Sequence, residues 1–262
     1  MHGFDSGLAF HMGKILECGC MACEPGSGMD VIFGTIRKDH FIVEPANKNR
    51  RCTKTSVAAH TFYEKHDPIK LELPGGILDL SNAKFEEISP YAVKVSGSKF
   101  IKQPYTIKLE GACKVGYRTI FIAGIRDPLT INNFDHIKNS VVQSIKDLFK
   151  KTPADDYQIV FHVYGKDGVM GTLEPVKIPA HELGVVGEVV AKNQELANEI
   201  CGQLFHYMLH MDYPGRKSTA GNLAFLYSPP TIPVGETYEM SIYHLLRIDD
   251  PLAPFPIKIE DI

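Results

Sequence analysis

The chain has 262 residues, 44% of them hydrophobic and 23% charged, with a formal net charge of −3. That length supports one large core or two small ones, and the near-neutral balance removes nucleic acid and anionic membrane as main partners. No apolar run nears the ~18 residues of a membrane span, and the first residues lack the basic-then-apolar order of a secretory leader. A cytoplasmic location is expected.

Residues 7–18 read as a short helix, with Leu8, His11-Met12, Ile15 and Leu16 at helical spacing and Gly19 as its stop. A helix this near the first residue is expected to continue an architecture begun elsewhere. Cys18, Cys20 and Cys23 form a C-x-C-x-x-C cluster. It reads either as a soft-metal or redox centre or as small side chains at a helix end. With no fourth cysteine or spaced histidine nearby, no metal is assigned. Cys52, Cys113 and Cys201 are scattered, and a disulfide scaffold is not expected.

A Gly-rich turn at 24–28 precedes two β-prone runs, 31–36 and 40–44, and a basic polar patch at 47–51. Residues 53–65 form an amphipathic helix that buries Val57, Ala58, Thr61 and Phe62, opened by a threonine cap and ended by Asp67-Pro68. After a turn at 73–76, residues 84–88 and 92–96 read as a strand pair. Residues 105–112 and 117–125 alternate like paired antiparallel strands reversing at 114–116. Residues 130–150 are helical on the stripe Ile131, Phe134, Ile137, Val141, Ile145 and Leu148. A strand at 157–164, another at 184–191, a helix at 194–211 and a last strand at 237–248 follow. This order predicts an α+β fold, a largely antiparallel mixed sheet covered by helices, with an irregular N-terminal third. The expected division is residues 1–100, an irregular α/β segment continuing a missing N-terminal half, and 101–262, an α+β sandwich.

Several segments carry a resemblance in order along the chain: ILECG (15–19), CTKTSVAAHTFYEKHDP (52–68), PGGILD (74–79), KLEGACKVGYRTIFIAGIRDP (108–128), VYGKDGVMGTLEP (163–175), HELGVVGEVVAKNQELANEIC (181–201), YPGRKSTAGNLAF (213–225) and PVGETYEMSIYHLL (233–246). They resemble the acyclic terpene utilisation, or AtuA-like, family. Members carry an α/β region ahead of the ILECG-like segment, so the resemblance implies a second half whose first half comes from a partner chain, or a fragment. The family's name reflects bacterial breakdown of acyclic terpenes such as citronellol and geraniol, through branched acids and their CoA thioesters. The resemblance therefore implies metabolism of a small carboxylate or acyl-CoA compound, by an enzyme or part of one. The alternative is a non-catalytic assembly subunit that needs the partner chain, forms a homo-oligomer, or both. No cofactor is named by any motif.

The residues themselves single out two loops. Residues 213–250 hold a long Gly/Pro-punctuated connection presenting Arg216, Ser218, Thr219 and Asn222, and long ordered loops tend to carry function. Arg216, Thr219 and Asn222 are candidate substrate ligands, Arg216 as an anion clamp. The turn Gly165-Lys166-Asp167-Gly168 is either a plain chain reversal or a cradle in which Lys166 and Gly168 bind substrate and Asp167 acts as general base. Arg126 at a strand end is a surface ion-pair partner or a bidentate anion ligand. His181, beside Glu182, is the candidate acid–base partner of Asp167, although adjacent strand residues face opposite ways. His206 and His210, four apart on a helix, read as a solvated face, and His244 as a core histidine. Phosphate-loop, dinucleotide and nucleophile-elbow motifs are absent.

Overall fold

The structure is a computed structural model and describes residues 6–260. The chain divides into two compact units: one runs to Leu109 and takes in the segment from His244 onward, and the other is Glu110–Tyr243. The sequence places a boundary near residue 100 and keeps everything after it together; the observed division falls later and is discontinuous.

In the first unit α1 (Ser6–Leu16) buries Leu8, His11 and Ile15, one helical face. It is followed by β1 (Ile32–Ile36), β2 (His40–Pro45), α2 (Lys54–Phe62), β3 (Lys70–Leu73), β4 (Gly76–Asp79), β5 (Lys84–Glu87), β6 (Val93–Ser96) and β7 (Lys99–Lys102). Two antiparallel sheets result, ordered β1-β2-β6-β5 and β3-β4-β7. Phe41, Val43, Val93 and Val95 form a core with Leu8, Ile15 and Val57 from the two helices. A reciprocal capping box starts α2: the Ser56 amide donates to Thr53 Oγ1 and the Thr53 amide to Ser56 Oγ, both at 3.0 Å. The helix ends at Phe62, short of the expected 65, because Glu64 turns to φ 55°. Strands β3, β4 and β7 escape a sequence reading, since four residues with half-burial on alternate positions give too little period to detect.

The second unit is built on β8 (Thr106–Ile125), followed by α3 (Pro128–Asn132), α4 (Phe134–Leu148), β9 (Tyr157–Tyr164), β10 (Leu183–Ala191), α5 (Gln194–His210), β11 (Ala224–Phe225) and β12 (Thr231–Arg247). The sheet order is β11-β8-β10-β9, with β12 also paired to β8. The hairpin expected around 114–116 is instead one unbroken strand. Gly116 has φ 154°, a conformation L side chains rarely adopt, and a Cβ there would lie 2.5 Å from the Ala191 carbonyl oxygen, so glycine serves backbone conformation and close approach and not reversal. The strand's partner at that point is β12: Lys114 pairs with Glu236 at 3.1 Å while Ser241 Oγ donates to the Gly111 carbonyl. The long helix expected at 130–150 breaks at Asn133 into α3 and α4.

Strand β10 alternates buried and half-exposed residues along its length, the signature of a sheet with one packed face. Its Val185 and Val189 join Phe121 of β8 against Phe134, Ile137, Val141 and Ile145 of α4 and Ile200, Leu204 and Met208 of α5. Phe121 meets Phe205 edge-on at 5.5 Å between centroids, a favoured aromatic geometry. The fold is α+β, antiparallel sheets covered by helices.

A buried polar cluster, His11 with Thr61 and Ser98, sits in the first unit. His11 is fully buried, with Nδ1 2.6 Å from Ser98 Oγ and Nε2 2.9 Å from Thr61 Oγ1. Thr61 donates its own proton to the Val57 carbonyl at 2.8 Å, so its oxygen accepts from Nε2–H, leaving Nδ1 to accept from Ser98. The neutral tautomer is thereby fixed. Burial, and then the charge of Lys65, pushes the His11 pKa down from 6.5 to about 3. Because the folded value lies below the unfolded one, the unfolded chain binds the proton first. His11's contribution is whole above pH 6.5 and is lost as pH falls toward 3, a loss of at most about 5 kcal/mol. Denaturant unfolding of wild type and His11→Gln should show a stability difference that shrinks as the pH is lowered through this window; a constant difference contradicts the assignment.

Candidate functional site

The candidate residues read from sequence converge on one end of the second unit's sheet, and strand register brings them there. Gly124 of β8 pairs with Gly184 of β10 on one side and with Ala224 of β11 on the other. Arg126 and Asn222 each lie two residues beyond the Gly124–Ala224 pair. Ile125 pairs with Leu183, so Arg126 and Glu182 follow next on their strands, with His181 one further. Gly184 also pairs with Tyr164, which sets the 165–168 turn beside the start of β10. With adjacent strands about 4.8 Å apart, the row Asn222, Arg126, Glu182, Gly165 crosses four strand ends.

The turn after β9 is held by one acceptor: the amides of Lys166, Asp167 and Gly168 all donate to the Val163 carbonyl, at 3.2, 3.2 and 2.9 Å. A Cβ on Gly168 would lie 2.8 Å from the Val163 carbonyl carbon, so the glycine is required by turn closure itself. Lys166 is engaged: its ammonium pairs with Asp135 near the start of α4 and lies over the Phe134 ring. That ammonium, more than any other group, holds the Asp135 carboxyl below its ordinary pKa. Asp167 is half-buried, and its carboxylate has no hydrogen-bond or ion-pair partner among the described residues. His181 is exposed, and no contact joins it to Asp167. Arg126 is likewise exposed and unpaired among the described residues.

The loop after α5 is the most tightly built part. Asn222 is buried, and its Nδ2 donates to the carbonyls of Met208 and Met211 at 3.0 and 2.9 Å. Tyr213, which the sequence reading missed as an anchor, lies 2.6 Å from Thr130 Oγ1. Thr130 gives its proton to Asp127 at 2.8 Å, so Tyr213 is the donor, and a hydroxyl chain ties the loop to the cap of α3. Donation by the Thr130 amide and hydroxyl lowers the Asp127 pKa. A turn closed by the Arg216 amide on the Tyr213 carbonyl, with Gly215 at φ 84°, then swings Arg216 back beneath the helix. Its Nη1 donates to the His210 carbonyl at 2.6 Å, a favourable place for a cation at a helix C-terminus. Its Nε and Nη2 are buried without a partner, two of the four such side-chain atoms among the described residues. Those two nitrogens form the edge of the guanidinium that grips a carboxylate in bidentate fashion. Thr219 is exposed and contributes its carbonyl, 3.1 Å from His210 Nδ1.

His210 also lines a cavity of about 390 Å³ with Gln203, His206, Tyr207, Met211 and Asp212, within the size range of small-molecule sites. The sequence marks His210 only through its i, i+4 spacing to His206, read as a solvated face, because its contact with the Thr219 carbonyl depends on a loop segment nine residues away. Among the described residues no three or more His, Cys, Asp or Glu side chains are grouped to hold a metal ion, and no helix is long and apolar enough to cross a membrane.

Removing Asn222's amide would orphan two carbonyls at the end of α5. Asn222→Ala should therefore lower the unfolding free energy by about 2–3 kcal/mol, measured by urea titration, while Thr219→Ala at the exposed end of the loop should change it by under about 0.5 kcal/mol.

Comparison with known proteins adds one finding. The family model described as acyclic terpene utilisation family protein AtuA matches residues 35–232, a span that includes all eight candidate residues. No curated protein and no solved structure matches the chain. The chain belongs to the acyclic terpene utilisation family, and membership supports a role in the use of acyclic terpenes.

Proposed function

We propose that the second unit binds a small branched carboxylate, or its CoA thioester, through Arg216, as part of an enzyme of branched-acid catabolism. The observation that carries this is the Arg216 guanidinium: one nitrogen is fixed to the His210 carbonyl and the opposite edge is buried and unpaired. A buried charged donor without a partner is costly, and an anion with two coplanar oxygens relieves both donors at once. Arg126 supplies a second, exposed cation at the same sheet end, suited to an outlying phosphate or thioester group. Asp167, free of internal partners, acts as general base, and His181 as its acid–base counterpart across the strand ends. Lys166 acts through its pair with Asp135, and Gly168 through the turn it closes. Thr219 and Asn222 hold the loop that presents Arg216.

A second reading has its own observation. Along β12 the side chains of Tyr238, Met240 and Ile242, on one strand face beyond Glu236, are all exposed, and a run of apolar side chains on one strand face favours a chain–chain contact. In this reading the protein is a non-catalytic subunit that assembles with a partner chain or with copies of itself.

Calorimetric titration with isovalerate and isovaleryl-CoA separates the two. Saturable binding that weakens at least about tenfold in Arg216→Ala, the value of one lost charge-assisted contact, supports the first. Arg216→Lys should recover only part of it, because an ammonium lacks the planar fork. No binding of either compound, or equal affinity in an Arg216→Ala chain that keeps its wild-type Tm, overturns it.

A further inference from the structure

The cysteine cluster near the start of the chain has a companion that only the fold discloses. Cys23 and Cys52, 29 positions apart, bring their sulfurs to 3.7 Å inside the first unit's core, where both are nearly fully buried. We propose that Cys23 and Cys52 are a redox modification site, forming a reversible disulfide in the wall of a cavity at the start of α2. It lies in the first unit and is independent of the proposed Arg216 site.

Backbone geometry favours the bond. Glu24 and Arg51 exchange both amide–carbonyl hydrogen bonds, at 2.8 and 3.0 Å, as an isolated antiparallel bridge. Cys23 and Cys52 are the next residues outward on the two segments, the non-hydrogen-bonded position, where Cα atoms lie about 4.5 Å apart. That separation falls inside the range disulfides tolerate, about 4.4–6.8 Å. Side chains alternate along such a bridge, so both thiols point to the side opposite Glu24 and Arg51, toward each other. Closing the gap to a bond needs a sulfur displacement of under about 2 Å.

The other cysteines are placed differently. Cys18 bonds the Tyr63 hydroxyl at 3.3 Å, Cys20 donates to the Val31 carbonyl at 3.2 Å, Cys113 is exposed, and Cys201 is buried in the second unit. A thiol–thiol hydrogen bond and burial keep Cys23 protonated well above its ordinary range. Cys52 also borders a cavity of about 330 Å³ together with Glu24, Arg51, Thr53 and Glu87; with Cys23 held protonated, Cys52 is the first of the pair to react.

With a hydroperoxide as oxidant, the Cys52 thiolate attacks the peroxide oxygen and the O–O bond breaks. Cys52 becomes a sulfenic acid, and the leaving oxygen takes a proton as water or alcohol. Oxidation of Cys52 removes the thiol–thiol hydrogen bond; the Cys23 sulfur then attacks the Cys52 sulfur, the S–O bond breaks, and the departing hydroxide takes the Cys23 proton and leaves as water. Two electrons pass from the dithiol to the peroxide. A small thiol reverses the bond by exchange.

Treatment of the full chain with hydrogen peroxide, followed by denaturing alkylation and peptide mapping, tests this. The expected result is a peptide pair joined through Cys23 and Cys52, a chain lighter by two hydrogens, loss of two of the six alkylatable thiols, reversal by dithiothreitol, and a raised Tm in the oxidised form. Cys23→Ser should abolish the cross-link. Cys23 and Cys52 both still alkylatable after a dose that oxidises exposed Cys113, or a disulfide mapped to any other pair, overturns the proposal, and the wild-type map decides even if the variant fails to fold.

Discussion

The register of β8 against β10 is the constraint on which the second unit depends. Phe121 lies opposite Gly187, Ala123 opposite Val185 and Ile125 opposite Leu183, and all six residues are buried on the helix-covered face. A slip of one residue would turn Phe121, Ala123 and Ile125 to solvent together. Burial of the core therefore leaves no freedom in where the strands end. The same register decides that Arg126, Glu182, the 165–168 turn and Asn222 share one end of the sheet.

The loop after α5 is ordered by a different debt, the carbonyls a helix leaves unbonded at its C-terminus. Asn222 satisfies Met208 and Met211, and Arg216 satisfies His210. Two side chains from the loop thus do the work of a C-cap. The cap explains why a segment rich in glycine and proline holds one shape, and it fixes the Arg216 guanidinium by a single nitrogen with its far edge turned away from the helix carbonyls.

Elements whose period outlasts two turns or three pleats were legible in the sequence. The strand at 157–164 is β9 residue for residue, and the stripe of α4 is the one read from Phe134 to Ile145. Failures came where a local signal had a long-range cause. Gly116 suggests a turn until the Ala191 carbonyl is placed beside it. Asn222 reads as a loop ligand until the helix end above it is known. Convergence of Arg126, Asp167 and Asn222 on one sheet end required the pairing itself, because neither β11, two residues long, nor the order of strands can be read from periodicity. The Cys23–Cys52 pair is the same kind of case: the spacing C-x-C-x-x-C draws attention to Cys18 and Cys20, and the bridge selects Cys52 instead.

Two side chains with buried nitrogens show what separates a structural group from a candidate site. His11 has a strongly displaced titration, yet both ring nitrogens find hydroxyl partners and its tautomer is set by Thr61's own bond to Val57. Nothing remains for a ligand to satisfy, so the displacement reflects burial first and the Lys65 charge second. Arg216 reaches its carbonyl with Nη1 and leaves Nε and Nη2 buried and unused. A charged fork of that kind is stable only with an acceptor in reach, and the helix carbonyls it faces are already divided between Arg216 and Asn222. In the function proposed above the partner comes from outside the loop, as two oxygens on one planar group matching two adjacent donors on one planar edge.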